Sequence, residues 1–352
     1  KGLKDAEPAF SSLEKTAKST FKAVSTAAVA AGTATAVALG AAVAKGSEFE
    51  SAFAGVKKTV NATDTQLQEM RDDIRQMATE MPKTAAGLSE IAESAGQLGI
   101  QTDNITLFTK TMADMEVATN LTSDEAATDF AKFANITNMS QKYFDRLGSS
   151  VVALGNNMAT TESDTVAMGM RIAAAGTQVK LSQADIMAYA ASLSSVGIEA
   201  EAGGSAFSKL LVNMQLAAET GKGLSGYAKA AGMSGQEFQT AFKNSPTTAI
   251  NAFLAGLNDT ERNGKSAIAV LNDMGIKETR LRDTLLRAAN ASDLFADALQ
   301  ISNSAWEENT ALANEAEQRY STFESQIDIL QNKLTDVGIG TYDAMKPMLT
   351  EG

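Results

Sequence analysis

The chain has 352 residues, a formal charge of −12, no cysteine and no histidine. Those absences remove disulfide staples, thiolate and imidazole metal sites, Ser-His-Asp and Cys-His nucleophile pairs and the HExxH zinc helix, leaving only carboxylate, lysine or tyrosine chemistry. Hydrophobic residues make up 44% but aromatics only 6%, so small side chains suited to close helix packing carry much of the apolar count, and the acidic balance argues against specific nucleic-acid binding.

The first residue is Lys1 and no cleavable leader pattern opens the chain, which reads as an excerpt of something longer. Residues 1–58 carry eight lysines and five acids, so this end is the one suited to a membrane or an acidic partner. From Phe10 through Leu13, Ala17, Phe21, Val24 and Ala28, apolar residues alternate at spacings of three and four, the stripe of an amphipathic helix. Ala23 to Ala44 then holds no charge and eleven alanines. Within it Gly32, Ala36, Gly40 and Ala44 recur every fourth residue as a small-residue face for helix packing or membrane contact. The segment 23–44 is long enough to span a bilayer, for which about 20 residues suffice. Its five large aliphatics favour insertion by only roughly 2 kcal/mol, so a tightly packed helix and a membrane-inserted one both satisfy the pattern.

A second short helix is expected around Phe49, Phe53, Val56 and Val60. Thr63 and Gln66 form a capping box for a helix carrying Leu67, Met70, Ile74, Met77 and Met81, which Pro82 stops. The same grammar continues to about residue 300. Thr122 with Glu125, Ser182 with Asp185 and Ser234 with Glu237 read as further capping boxes, Ser245-Pro246 as N-cap and N1, and Gly176, Gly197, Gly232 and Gly275 as C-caps. Gly203 and Gly204 read as a flexible helix junction, and a division is expected near the Gly-rich stretch Gly221 to Gly226. Asn263-Gly264-Lys265-Ser266 resembles the end of a phosphate loop, but the earlier glycine would fall on Asp259, so a surface turn ahead of a helix is the better reading.

After Trp306 the texture changes. Ala316, Tyr320, Phe323, Ile327, Leu330, Leu334 and Val337 make one seam, about three heptads of coiled coil, and an apolar stripe on a helix of that length needs a partner. The expected fold is all-α, a multi-helix bundle of roughly ten short helices with an N-terminal small-residue helix and a C-terminal coiled-coil segment. Three segments follow: 1–62, the amphipathic and small-residue helices; 63–305, the helical core; and 306–352, the coiled coil.

Three blocks carry a family resemblance: VALGAAVAKGSEFESAFAGVKKTV at 37–60, MPKTAAGLSEIAESAGQLGI at 81–100, and the long LGSSVVALGNNMATTESDTVAMGMRIAAAGTQVKLSQADIMAYAASLSSVGIEAEAGGSAF at 147–207. They resemble the core region of phage tail tape-measure proteins, and the similarity covers most of residues 25–335. The resemblance implies a structural protein packed in a few copies in the lumen of the virion tail, with tail tube and tail tip proteins as partners. It further implies a chain whose length limits the tube, release ahead of the DNA, and contact with the host membrane during ejection. It brings no catalytic residue, metal or cofactor to this region.

Two other classes stand beside that expectation. A membrane-active, pore-forming helical protein is motivated by the lysine-flanked segment 22–45. A carboxylate-based wall hydrolase would need an acid pair such as Glu48 with Glu50 or Glu307 with Glu308, and nothing in the sequence places a cleft beside them, so they read as solvated helix faces.

Overall fold

The computed structural model describes residues 33–259 and 263–350, and among these there are seventeen α-helices, two short 3-10 turns and no strand. The all-α expectation holds, more finely divided than the roughly ten helices marked by the sequence. In chain order the helices are α1 Thr33–Thr59, α2 Asp64–Ala78, α3 Ala85–Gln97, α4 Ile105–Ala118, α5 Ser123–Thr137, α6 Phe144–Asn157, α7 Glu162–Gln178 and α8 Gln183–Ser195. There follow α9 Ala200–Thr220, α10 Leu224–Ala231, α11 Gly235–Asn244, α12 Pro246–Leu257, α13 Ala267–Asp273, α14 Thr279–Asn290, α15 Ser292–Glu308, α16 Ala311–Tyr320 and α17 Phe323–Thr350.

All four capping boxes form. Thr63, Thr122, Ser182 and Ser234 each accept from the N3 amide while Gln66, Glu125, Asp185 and Glu237 reach back to the cap amide. These bonds hold the Glu125 and Glu237 carboxyls below the ordinary carboxylate value, through the amide donor first and the cap hydroxyl second. Pro246 stands at N1 of α12, but Ser245 does not cap it; its hydroxyl bonds Thr248 at 2.9 Å instead. Ser266 caps α13, so the Asn263–Ser266 stretch is the turn ahead of a helix that its sequence suggests.

Several glycines do a different job from the one their spacing suggests. Gly197, Gly232 and Gly275 adopt positive φ after helices, as expected of C-caps. Gly176 lies inside α7, where a Cβ would come within 2.8 Å of Ile186 on α8, so it is a packing notch and not a cap. Gly203 and Gly204 are likewise interior to α9 and buried, with no room for a side chain beside Ile198 and Arg171. They are no junction, because close packing of α7 on α9 needs their missing side chains. The second short helix also disappears as a separate element: α1 runs unbroken through Lys45 and Gly46 to Thr59.

The chain divides into two compact units. Of the described residues, one comprises 33–114 with 316–350, and the other 115–259 with 263–315. This grouping cuts across the segments 1–62, 63–305 and 306–352, because α17 packs along α1 and α2. Gly221 and Gly223 make the turn between α9 and α10, and Gly226 lies inside α10, all within the second unit.

In the first unit α1 packs on α3 and α17 through Phe49, Phe53 and Val56, each at most 2% exposed. In the second, α7 packs against α5, α8 and α9, while α15 covers α6 and α8. Its centre is aromatic: Tyr189 lies 5.1 Å from Phe207 and 6.1 Å from Phe295 by ring centroid, and its hydroxyl donates to Asn251 Oδ1 at 3.1 Å. A second cluster joins Tyr227, Phe238 and Phe253 across α10, α11 and α12.

Candidate functional site

The feature of the first unit that bears on assembly is α17. Thr322 begins it, accepting from the Ser325 amide, after a break at Ser321. From Phe323 onward the sequence keeps a heptad pattern, with Ile327 and Leu334 at a, and Phe323, Leu330 and Val337 at d. The opposite face is fastened to its own chain. Ile329 and Ile339 are 7% and 1% exposed, and Asn332, 6% exposed, donates from Nδ2 to the carbonyls of Met81 at 3.1 Å and Lys83 at 2.9 Å. Those two carbonyls belong to the turn between α2 and α3, so one amide closes a turn that would otherwise leave acceptors buried.

Charge does the rest of the fastening. Arg71 Nη2 meets both Asp343 oxygens at 2.8 and 2.7 Å, and Arg75 Nε meets Asp336 Oδ1 at 2.7 Å. Arg71 also lies over the Phe49 ring at 5.1 Å. Glu50 accepts from Tyr342 Oη at 2.7 Å and from the Lys346 ammonium. The Lys346 bond, then the Tyr342 bond, holds the Glu50 carboxyl below its ordinary value, and the same contact with Glu50 raises Lys346. Glu50 is therefore an ion-pair partner on α1, and not the freely solvated acid its sequence suggests.

The seam expected from sequence is placed as follows. Phe323 is 69% exposed and Leu334 38% exposed, with Ile327, Leu330 and Val337 half-buried. These five share the face of α17 that turns away from α1 and α2. Tyr320 does not join them: it ends α16 before the break, and its hydroxyl donates to Asp114 Oδ1 at 2.6 Å. The uninterrupted seam from Ala316 is thus shortened to one starting at Phe323, because Ser321 and Thr322 leave the helix.

Of the small-residue face, Gly32 lies outside the described residues and Ala36 lies within α1. Gly40 and Ala44 are exposed, and nothing stands within 4 Å of a Cβ built on Gly40. The close approach occurs half a turn away. Ala42 and Gly46 face α17, where Ala42 Cα would be 3.4 Å from a Cβ on Gly338, and Tyr342 fills the space above Gly46. Small residues do bring two helices together, but at Ala42, Gly46 and Gly338.

The pairing of Arg71 and Arg75 with Asp336 and Asp343 escapes sequence reading. Arginines four apart on α2 and aspartates seven apart on α17 are visible as matched stripes, but nothing local links positions separated by more than 250 residues.

Among the described residues no group of Asp and Glu could hold a metal ion, and no helix is long and apolar enough to cross a membrane. Residues 23–32 of the uncharged segment lie outside that description.

The phage-related minor tail protein family matches residues 71–314. No curated protein and no solved structure matches the chain.

Proposed function

Because the chain belongs to the phage-related minor tail protein family, it is a structural, virion-associated component of a phage tail that works among other tail proteins, and within that role we propose that it is the core region of a tape measure. The observation that carries this reading is α17. One face is fastened to its own chain, while the Phe323, Ile327, Leu330, Leu334, Val337 face keeps a heptad pattern, with Phe323 and Leu334 exposed and the other three half-buried. Such a face suits pairing between copies, and the charges beside it, Glu324 and Lys333 with Gln326 and Gln331, set up no repulsion between identical helices.

In this reading copies associate through α17 in the lumen of the tail tube. A coiled-coil rod advances about 1.5 Å per residue, so chain length becomes physical length. Tube subunits add around the rod from the tail tip until it is covered, and the rod leaves ahead of the DNA. Such a role uses contact surfaces and needs no reacting group or cofactor. Contact with the host membrane during ejection belongs to the same reading, supported by the uncharged segment 23–44.

The experiment is tail length by electron microscopy in the parent phage. Six added heptads in register after α17 should lengthen the tail by about 60 Å, and removal of heptads from the coiled-coil tape should shorten it at the same rate. Tails of unchanged length would sink the ruler. Liposome leakage caused by the purified chain, with tail length unchanged, would instead favour a membrane-active, pore-forming protein.

A further inference from the structure

A groove of about 600 Å³ runs between the end of α9, the start of α10 and the Met274–Glu278 stretch before α14, wholly within the 115–315 unit. Its floor is apolar. Ala217, Tyr227, Ile276 and Leu281 are all buried, while Leu216 on the rim is 52% exposed and Val212, one turn earlier on α9, is 42% exposed. A leucine left that open beside a concave apolar floor is an unfinished packing arrangement.

The rim is basic on an acidic chain. Lys209 is paired with Glu278, but Lys222 and Lys277 are exposed and make no ion pair among the described residues. Tyr227 supplies a third, independent signal. It is 6% exposed, its ring is held 6.1 Å from Phe238 and 5.3 Å from Phe253, and its hydroxyl has no hydrogen-bond partner among the described residues. The ring is buried while the hydroxyl reaches solvent in the groove, one end apolar and the other wet. Burial pushes this phenol up to about 12, so it remains a donor at any physiological pH.

We propose that this groove binds an acidic amphipathic peptide segment of a partner protein, its apolar side chains on Leu216 and Ile276, its carboxylates against Lys222 and Lys277, and an acceptor oxygen on Tyr227. The exposed leucine over an apolar floor and the two unpaired lysines ask for one chemistry, apolar groups interleaved with carboxylates, and the Tyr227 hydroxyl offers a donor beside them. A nucleic acid meets less of it, since an apolar floor offers a phosphate backbone nothing and a net charge of −12 opposes its approach. The site is independent of α17, so it stands or falls apart from the tape-measure reading.

A random-peptide display library selected on the full chain, with the K222E/K277E double variant as counter-target, tests this. Enriched peptides should interleave Asp or Glu with Leu, Ile or Phe. A synthetic copy of the strongest, followed by fluorescence anisotropy, should lose roughly tenfold or more in affinity on L216D and on K222E/K277E, and less on Y227F, which keeps the ring. Circular dichroism melting of each variant separates lost binding from lost fold, and the two surface lysine changes should leave the melt unaltered. Enrichment that ignores the two lysines, peptides without acids, or a DNA oligonucleotide that binds with the same lysine dependence would overturn the proposal.

Discussion

The centre of the 115–315 unit and the docking of α17 in the other unit are held by different physics. Tyr189, Phe207 and Phe295 are fully buried and meet ring to ring, with a single side-chain hydrogen bond from Tyr189 to Asn251. Among the described side chains of α17, Ile329 and Ile339 are the buried apolar residues of large size, and its ties include Asn332, Arg71 with Asp343, Arg75 with Asp336, and the Glu50, Tyr342 and Lys346 group. Apolar burial has no charge for salt to screen or for a proton to neutralise, whereas partly exposed ion pairs are weakened by screening and by titration of either partner. One region is built to stay shut, and the other is fastened by contacts that conditions can adjust.

The largest effect that would sharpen this contrast is Phe295→Ala. Phe295 is 0% exposed and its loss leaves a cavity at the meeting of α15 with α8, so the chain should lose about 3–5 kcal/mol in urea unfolding, equally at low and high salt. A loss under 1 kcal/mol would mean the centre is less tightly packed than its burial indicates.

Next comes Ile339→Ala, which removes an apolar side chain of α17 that is only 1% exposed, with an expected cost of about 2–4 kcal/mol to docking of this helix. Amide hydrogen exchange should report it, with protection falling over 323–347 while α8 and α9 stay unchanged. Equal loss in both regions would break the comparison.

A smaller effect is expected from the charges. Arg75→Met should loosen α17 by about 1 kcal/mol at low salt and by less in high salt, because Arg75 and Asp336 are partly exposed. The pH window follows from the group on Glu50. Its carboxyl is lowered from 4.5, so its contribution is present above that value and is lost as pH falls through the lowered one; Lys346 is raised from 10.5, so its contribution persists to that value and is lost as pH rises beyond it. Exchange protection of α17 should therefore hold across neutral pH and drop at both extremes, and Glu50→Gln should flatten the acid limb. A flat profile in the unmodified chain would show that the charges contribute nothing there.

The smallest effect on stability belongs to Leu334→Asp, since Leu334 is 38% exposed and touches none of these ties. Unfolding should shift by no more than about 0.5 kcal/mol. Sedimentation of the same variant should nevertheless show loss of self-association if copies meet on this face, and an unchanged oligomer mass would place the contact elsewhere.

What was legible in the sequence is local. Each capping box is four consecutive residues whose side chains and amides meet within one turn, so Thr63 with Gln66 or Ser234 with Glu237 can be read without knowing the fold. The heptad pattern from Phe323 to Val337 is local for the same reason, and so is the all-α class. What a glycine is for was not legible, since Gly176 and Gly197 look alike in sequence and only the presence of Ile186 above Gly176 separates a packing notch from a cap. Nor was the choice of face. A helix shows its stripes through its own periodicity, but which stripe is covered depends on what arrives from elsewhere in the chain. Tertiary structure alone decided that α17 covers Ile329 and Ile339 and leaves Leu334 open, and that α1 uses Ala42 and Gly46 and leaves Gly40 free. The physical reason is that these contacts join residues more than 250 positions apart, and burial there is settled by partner shape and charge and not by any property of the segment itself.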